Sequence, residues 1–309
     1  MRDVFAHELE KLISKDKDII FLTGDLGFGV FESLRENFPD NFINIGVAEQ
    51  NMTGIASGLA LEGYKVFTYS IANFSTLRCL EQIRNDASYH DLNVNVVSVG
   101  GGFSYGPLGM SHHATEDIAI MRSLPGVTVL SPGTLDEAKF ATRDIVSRPG
   151  VGYLRIDKSS FDGDNSKISR SDYEIGKSIE VKQGSDISIF ATGGILREAV
   201  LAADELKKAS IDARVVSFHT IKPIDTDAIF SAIEETQGII TVEEHSIIGG
   251  LGSAVAETCL ENNERPKLFK RIGLKDTFSS VVGSQQHLRE KYKMDSSSIV
   301  SKVKMMLER

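Results

Sequence analysis

The sequence predicts an α/β protein with two domains, each a mostly parallel sheet flanked by helices. Short β-branched apolar runs alternate with helix-length segments along nearly the whole chain, which is the pattern of parallel strands joined by helical crossovers. A polar segment interrupts this alternation past the middle of the chain, and a length of 309 residues favours two domains over one.

The first domain is predicted over residues 1–160. Its helices carry recognisable end signals: the segment 48–63 has a 3.6-residue apolar stripe and ends at Gly63, and a helix from Thr134 to about Val146 begins at a good capping residue. The predicted strands are residues 19–23, 41–46, 65–70, 93–99, 127–131 and 151–156.

A linker is predicted over residues 161–184, since the chain there begins as a run rich in Ser, Asp and Gly without an apolar period. The second domain, residues 185–309, repeats the α/β alternation with four strands and is predicted to be the smaller one. Its predicted strands are residues 186–192, 212–218, 238–244 and 267–273, and its predicted helices are residues 195–208, 225–236, 250–262 and 296–309.

Composition excludes several classes of protein. The chain has 34 Lys and Arg against 43 Asp and Glu, interspersed, with a formal charge of -9, so no basic stripe is available for nucleic acid. The cysteines Cys79 and Cys259 form no metal-binding or disulfide spacing, so we expect a reducing cytoplasm, and any metal would have to bind through oxygen or histidine. Without a signal peptide or a long apolar run, we expect neither secretion nor a membrane span.

The glycine-rich segments do not fit a nucleotide-binding loop. GDLGFG (24–29) follows a strand, but its spacing is not that of the dinucleotide fingerprint, and GGLGSAVAE (249–257) is followed by no acidic residue at the required distance. A phosphate loop, a nucleophile elbow and a zinc-protease motif are also absent from the sequence. Composition and spacing alone therefore predict only a two-domain α/β protein of enzymatic character.

One segment points to a particular protein family. NFINIGVAEQNMTGIASGLALEGYKVFTYS (41–70) resembles the pyrimidine-binding domain of the thiamine-diphosphate-dependent transketolase family. The chain is similar to the C-terminal half of transketolase or deoxyxylulose-phosphate synthase, and to the beta subunit of the 2-oxo-acid dehydrogenases. Further matches follow in order between about residues 20 and 275, at residues 81–97, 106–138, 215–225 and 242–257.

The resemblance implies a split enzyme. In this family a Gly-Asp-Gly motif on a separate domain holds the coenzyme's diphosphate through Mg2+ or a similar divalent ion. The sequence contains no Gly-Asp-Gly. The most similar segment, FDGDN (161–165), lies in the predicted linker and lacks the strand-turn-helix setting. We therefore expect thiamine diphosphate as coenzyme and a separate N-terminal subunit that holds the ion. The resemblance further implies a heterotetramer that self-associates through the C-terminal domain.

Glu49 is the residue that the resemblance places against the coenzyme. In the family a buried carboxylate binds a ring nitrogen of the aminopyrimidine, which then removes the proton from the thiazolium carbon and so creates the electron sink. Small residues at Gly54, Ala56 and Gly58 would let the ring approach the helix closely. The alternative is a first-turn glutamate that is favoured only by the helix dipole.

Two more residues are expected at the coenzyme. Phe74, in the segment after the third strand, would pack against the pyrimidine, with an ordinary core phenylalanine as the alternative. Asp25 resembles the family's aspartate near the coenzyme, and it follows a strand at the edge where α/β sites gather.

Two residues are expected to face the substrate. His112, the first of the pair His112-His113, matches the family's histidine beside the thiazolium, and an imidazole there could donate to a developing alkoxide or move a proton. Arg155 ends a strand where relatives place an arginine for the acceptor's phosphate. A salt bridge near the linker is the alternative for Arg155, whereas His113 is expected to be structural or solvent-facing.

Departures from the family limit the substrate. Transketolases carry a histidine and an aspartate where this chain has GGGFSYGPLG (100–109), so two groups that read hydroxyls are missing. The departures therefore favour a modified sugar, a pathway-specific ketose or another acceptor over a standard pentose phosphate. We treat His219 and His245 as structural, with Glu244 and His245 as candidates for a subunit interface.

The predicted activity is transfer of a two-carbon ketol unit between sugars or sugar phosphates, by a transketolase-like transferase that needs its partner subunit. One alternative is a 2-oxo-acid dehydrogenase beta subunit, which would decarboxylate and pass an acyl group to lipoamide. The other is a non-catalytic scaffold. Glu49 and His112 argue against the scaffold, because a buried carboxylate is costly without a function.

Overall fold

The computed structural model describes residues 1–158, 161 and 168–308. Most of FDGDN (161–165) therefore lies outside the described residues. The strands are β1 (Ile19–Thr23), β2 (Phe42–Asn44), β3 (Lys65–Ile71), β4 (Val94–Val99), β5 (Thr128–Leu130), β6 (Gly152–Ile156), β7 (Ile179–Lys182), β8 (Ile187–Thr192), β9 (Ala213–Ser217), β10 (Thr220–Lys222), β11 (Ile239–Ser246) and β12 (Phe269–Leu274).

The α-helices surround these strands on both faces, as the alternating pattern predicts. They are α1 (Arg2–Lys15), α2 (Glu32–Asn37), α3 (Glu49–Leu61), α4 (Ala72–Thr76), α5 (Leu80–Gln82), α6 (Asp117–Ser123), α7 (Leu135–Ile145), α8 (Leu196–Lys208), α9 (Thr226–Glu235), α10 (Leu251–Glu261), α11 (Gln285–Lys291) and α12 (Ser296–Met306). A π-helical segment, Ile83–Ser88, continues α5. No helix of the described residues has the length and apolar character needed to cross a bilayer.

The strands form two sheets, which confirms the predicted fold class. The first has the order β10-β5-β6-β4-β3-β1-β2 and the second the order β12-β11-β8-β9-β7. All pairs are parallel except β10 with β5 and β7 with β9. Each predicted strand occurs within two residues of its predicted bounds.

The predicted count of four strands in the second sheet is wrong, because β7 adds a fifth at its edge. β7 lies inside the predicted linker and is only partly buried, so it lacks the continuous apolar run that marks the other strands. β10 was also not predicted. It is three residues long and ends before Pro223, which suits an edge strand.

One hydrophobic cluster is shared by the two sheets, and each part of the chain also has a cluster of its own. Side chains of β3 and β4 in the first sheet belong to the same buried cluster as Phe190, Phe218 and Leu251 of the second part of the chain. β10 joins the two parts further, since it follows β9 in the chain but pairs with β5 of the first sheet. On the opposite face of the first sheet an aromatic cluster packs under α1; it contains Phe5, Phe21, Phe31, Phe67 and Tyr69.

The carboxyl ends of β1, β3 and β4 lie side by side because these strands are parallel neighbours. Asp25 follows β1, α4 with Phe74 follows β3, and the glycine-rich segment 100–109 follows β4. This edge of a parallel sheet is where α/β proteins usually place their sites, and it collects most of the predicted site residues.

Candidate active site

Glu49 is the first residue of α3, and its side chain points into the protein, with only 3% of the residue exposed. The hydroxyl of Ser70, on β3, donates a hydrogen bond to Oε1 at 3.0 Å. Gly24 lies against the same side chain: a β-carbon there would be 3.6 Å from the Glu49 carboxylate. The carboxylate is therefore held in one place by β3 and the segment after β1.

Arg78 pairs with the other carboxylate oxygen, which the sequence reasoning missed. Its Nη1 lies 3.2 Å from Oε2 of Glu49, and its side chain is 48% exposed. The guanidinium also lies over the ring of Phe74, 3.7 Å from the ring centroid. The available signal was an arginine four residues after Phe74 in the segment expected to line the coenzyme, but only packing shows that it reaches Glu49.

Phe74 and His112 face each other. Phe74 is half-buried on α4, and its ring centroid is 5.1 Å from that of His112 in an edge-on arrangement. His112 Nδ1 lies 3.0 Å from the hydroxyl of Ser111. Partial burial, the neighbouring His113 and the charge of Arg78 lower the pKa of His112, so its imidazole is neutral near pH 7.

A groove of about 440 Å³ runs beside these residues. Phe74, Arg78 and Ser111 lie on one part of its wall, and Glu116 adds a carboxylate. The rim carries three large apolar side chains that the chain leaves exposed: Leu77, Met110 and Phe278. Exposed apolar side chains grouped around a site are typical of a surface that meets another protein.

Asp25 lies at the same sheet edge but turns toward β2. Its Oδ1 accepts a hydrogen bond from Asn44 Nδ2 at 2.9 Å, and its backbone N–H donates to Asn44 Oδ1 at 3.1 Å. Its φ of 57° places it in the left-handed region, which an aspartate tolerates better than most residues. Asp25 thus borders the Glu49 pocket through Gly24, while its carboxylate is engaged with Asn44.

Arg155 is in the interior, and the geometry gives no support to a phosphate contact. The residue is only 4% exposed, and its Nε donates to Asp117 Oδ2 at 2.7 Å. Its Nη2 donates to the backbone oxygens of Ala114 and Glu244, each at 3.0 Å. The salt-bridge alternative fits better, although the partner lies on α6 rather than in the predicted linker.

Lys158 is an exposed cation that the sequence reasoning did not single out. Its Nζ lies 4.0 Å over the ring of Tyr105, and that ring is 6.3 Å from the ring of His112. Phe103, in the same segment, is buried under Tyr292. The segment 100–109 therefore places one aromatic ring in the core and another within reach of both His112 and a lysine.

The remaining predicted residues lie in the interior. His113 is buried against Phe103, with Nε2 3.1 Å from the carbonyl of Gly106, and His219 stacks on Tyr173, so both are structural. The proposed interface position of Glu244 and His245 is wrong, because both are buried within the chain itself. Arg289 is the counter-ion of Glu244 at 2.5 Å.

Glu49 and Phe74 together suit the aminopyrimidine of thiamine diphosphate. A carboxylate beside a ring nitrogen and an aromatic face against the ring are the two contacts that such a heterocycle needs. Across the part of the chain that the structure describes, no three His, Cys, Asp or Glu residues are grouped in a way that could hold a metal ion. The α/β fold and this pair of side chains are those expected of the pyrimidine-binding class of thiamine-diphosphate proteins.

Comparison with known proteins gives the family. The model of the transketolase pyrimidine-binding domain matches residues 1–162, and that of the transketolase C-terminal domain matches residues 176–299. The chain belongs to the transketolase family.

Two curated relatives are similar to this chain over nearly its whole length. One of the subunits of an apulose-4-phosphate transketolase from Phocaeicola vulgatus is 36% identical over 96% of this chain and 94% of its own length. A 6-deoxy-6-sulfo-D-fructose transketolase subunit from a Clostridium species is 34% identical over 100% and 95%. A solved structure described as a split gene transketolase, inactive beta4 tetramer, superposes with a TM-score of 0.87 at 33% identity, covering 99% of this chain and 97% of the other.

Proposed function

We propose that this chain is the C-terminal subunit of a split transketolase that depends on thiamine diphosphate and transfers a two-carbon ketol unit between sugars. The observation that carries this proposal is the buried carboxylate of Glu49 at the start of α3, which is linked to the ring of Phe74 through Arg78. A buried carboxylate is expensive unless it has a partner, and here the partner of its second oxygen is Arg78, a half-exposed residue that lines the groove.

The coenzyme, when bound, supplies the electron sink for breaking a carbon–carbon bond next to a carbonyl. Glu49 would bind the pyrimidine ring nitrogen, Phe74 would pack against the ring, and Asp25 would border the ring through Gly24. His112 would lie on the substrate side of Phe74, where its neutral imidazole can donate to an oxygen that gains charge.

The partner would be an N-terminal subunit that holds the diphosphate through Mg2+ or a similar ion. Two features of this chain support such a partner: the groove is open at one side, and its rim carries exposed apolar residues, of which Phe278 is 69% exposed. We propose a heterotetramer that also self-associates through the C-terminal domain. Both cysteines are buried and free, which suits the proposed cytoplasmic location.

An acidic sugar is the proposed acceptor or donor. Lys158 offers a charge over the ring of Tyr105, whose centroid is 6.3 Å from that of His112, and a lysine is a common partner of phosphate. The apulose-4-phosphate and sulfofructose relatives are named for a phosphate sugar and a sulfo sugar. Arg155 is left out of the proposed substrate contacts because its donors are already used inside the protein.

Reconstitution tests this function. The chain and an N-terminal transketolase-like subunit would be purified separately, mixed with thiamine diphosphate and Mg2+, and assayed for ketol transfer with phosphorylated and unphosphorylated sugars. We expect activity only in the mixture, with faster transfer between phosphorylated sugars. Decarboxylation of a 2-oxo acid without ketol transfer would instead favour the dehydrogenase alternative, and assembly without either activity would favour a scaffold.

Replacing His112 by Ala is expected to lower kcat of the reconstituted enzyme by about 10²-fold or more, since one positioned acid–base group is worth about that much. The KM for coenzyme should change little, because Glu49 and Phe74 are intact. His90→Ala, at an exposed position, is the matched control and should keep the wild-type kcat. Steady-state kinetics with saturating coenzyme make the comparison; equal kcat values for the two variants would remove His112 from the reaction.

A further inference from the structure

Arg78 makes both of the contacts that the proposed function gives to the pyrimidine ring. It pairs with Oε2 of Glu49 at 3.2 Å, and its guanidinium carbon lies 3.7 Å from the centroid of the Phe74 ring. A distance of 3.7 Å is ordinary van der Waals contact, about the separation of stacked planar groups. No second planar group fits between Arg78 and Phe74 in this arrangement.

We propose that Arg78 occupies the pyrimidine position in the free chain and that the ring must displace it to bind. This inference rests on the proposed function, because it assumes that Glu49 and Phe74 receive the ring. Arg78 is then a positioning residue: it keeps Glu49 paired and the face of Phe74 covered until the coenzyme arrives.

Displacement requires only a side-chain movement. Arg78 lies in a short turn, Leu77–Cys79, and about half of its side chain is already exposed. Glu116 lines the same groove, so a carboxylate is available to the guanidinium once it leaves Glu49. The backbone between α4 and α5 can stay in place, because the flexible side chain of an arginine reaches several positions from one turn.

The energetic consequence follows from the charges. In the free chain the buried carboxylate of Glu49 has a counter-ion, which offsets part of the cost of its burial. The ring exchanges this ion pair and the cation–π contact for its own bonds to the same groups. Arg78 therefore lowers the affinity for the ring. An arginine that stayed and bound the ring would raise it, so substitution of Arg78 distinguishes the two roles.

The test compares the isolated full chain with Arg78→Met, which removes the charge but keeps an unbranched side chain, and with Arg78→Lys. The probe is 4-amino-5-(hydroxymethyl)-2-methylpyrimidine, titrated into 15N-labelled protein by NMR. We expect Arg78→Met to bind about three- to tenfold more tightly than wild type, the size of effect expected from one modest ion pair with a cation–π contact. Arg78→Lys should lie between them. In wild type the Arg78 Nε–H signal should shift when the probe binds.

Arg197→Met, at an exposed position on α8, is the matched control and should bind like wild type, and melting temperatures would verify folding. Calorimetry of thiamine diphosphate binding to the reconstituted enzyme should give the same order of affinities. Equal or weaker binding by Arg78→Met, with wild type binding normally, would overturn the inference and leave the proposed function standing. If wild type binds neither the probe nor the coenzyme, the inference about Arg78 and the proposed function are both wrong.

Discussion

Glu49→Gln is expected to lower the ketol-transfer activity of the reconstituted enzyme by about 10²–10⁴-fold, the range associated with a positioned acid–base group. Glutamine has the size of glutamate and can still accept the Ser70 hydrogen bond at Oε1. It cannot carry the negative charge that would draw the pyrimidine ring toward its reactive form. The loss should persist at saturating coenzyme, because it concerns activation as well as binding.

The control for this prediction is Glu62→Gln. Glu62 caps the other end of α3 and is exposed, so the same chemical change there should leave activity within about twofold of wild type, as surface substitutions usually do. The assay is single-turnover ketol transfer with a labelled donor. Wild-type turnover in Glu49→Gln would show that the coenzyme is activated by another group, and the proposed mechanism would have to be abandoned.

Arg155→Met should have the largest effect on stability. Removing one partner of a buried ion pair typically costs about 3–5 kcal/mol, because the remaining charge is left without compensation. Asp117 is fully enclosed, and Arg155 supplies its charged partner at 2.7 Å as well as bonds to two backbone oxygens. Urea denaturation of the isolated chain would measure the free energy of unfolding of both proteins.

A double variant separates the ion pair from a substrate contact. Arg155→Met combined with Asp117→Leu removes both charges and should recover part of the lost stability, because a buried ion pair can often be replaced by apolar residues. If Arg155→Met instead kept its stability but raised the KM for a phosphorylated sugar, the phosphate contact expected from the sequence would be correct and the interior role wrong.

The chain order of the motifs was enough to place Glu49, Phe74 and His112 near one another. Parallel strands carry the segments that follow them to one edge of the sheet, so the residues after β2, β3 and β4 are brought to the same edge wherever such a sheet forms. Arg155 also lies on a strand of this sheet, yet its side chain points into the interior. The edge of the sheet is readable from the sequence, but the direction of one side chain among buried neighbours is not.

The contact made by Arg78 could not be predicted from the sequence either. Its pair with Glu49 joins residues 29 apart, one on α3 and one after α4, and no local pattern indicates that two such segments touch. β7 and β10 were missed for a related reason. Both are short edge strands, and their partners rather than their own residues hold them extended.

The sequence by itself determined the α/β class and the principal strands, since apolar periods and helix-end signals are local properties of the chain, whereas the role of Glu49 is what the family resemblance implies. Only the tertiary structure decided that β10 crosses to the first sheet, that Arg155 is an interior ion pair, and that Arg78 covers the ring of Phe74. These features depend on which distant side chains compete for the same space and charge, and that competition exists only once the elements have packed.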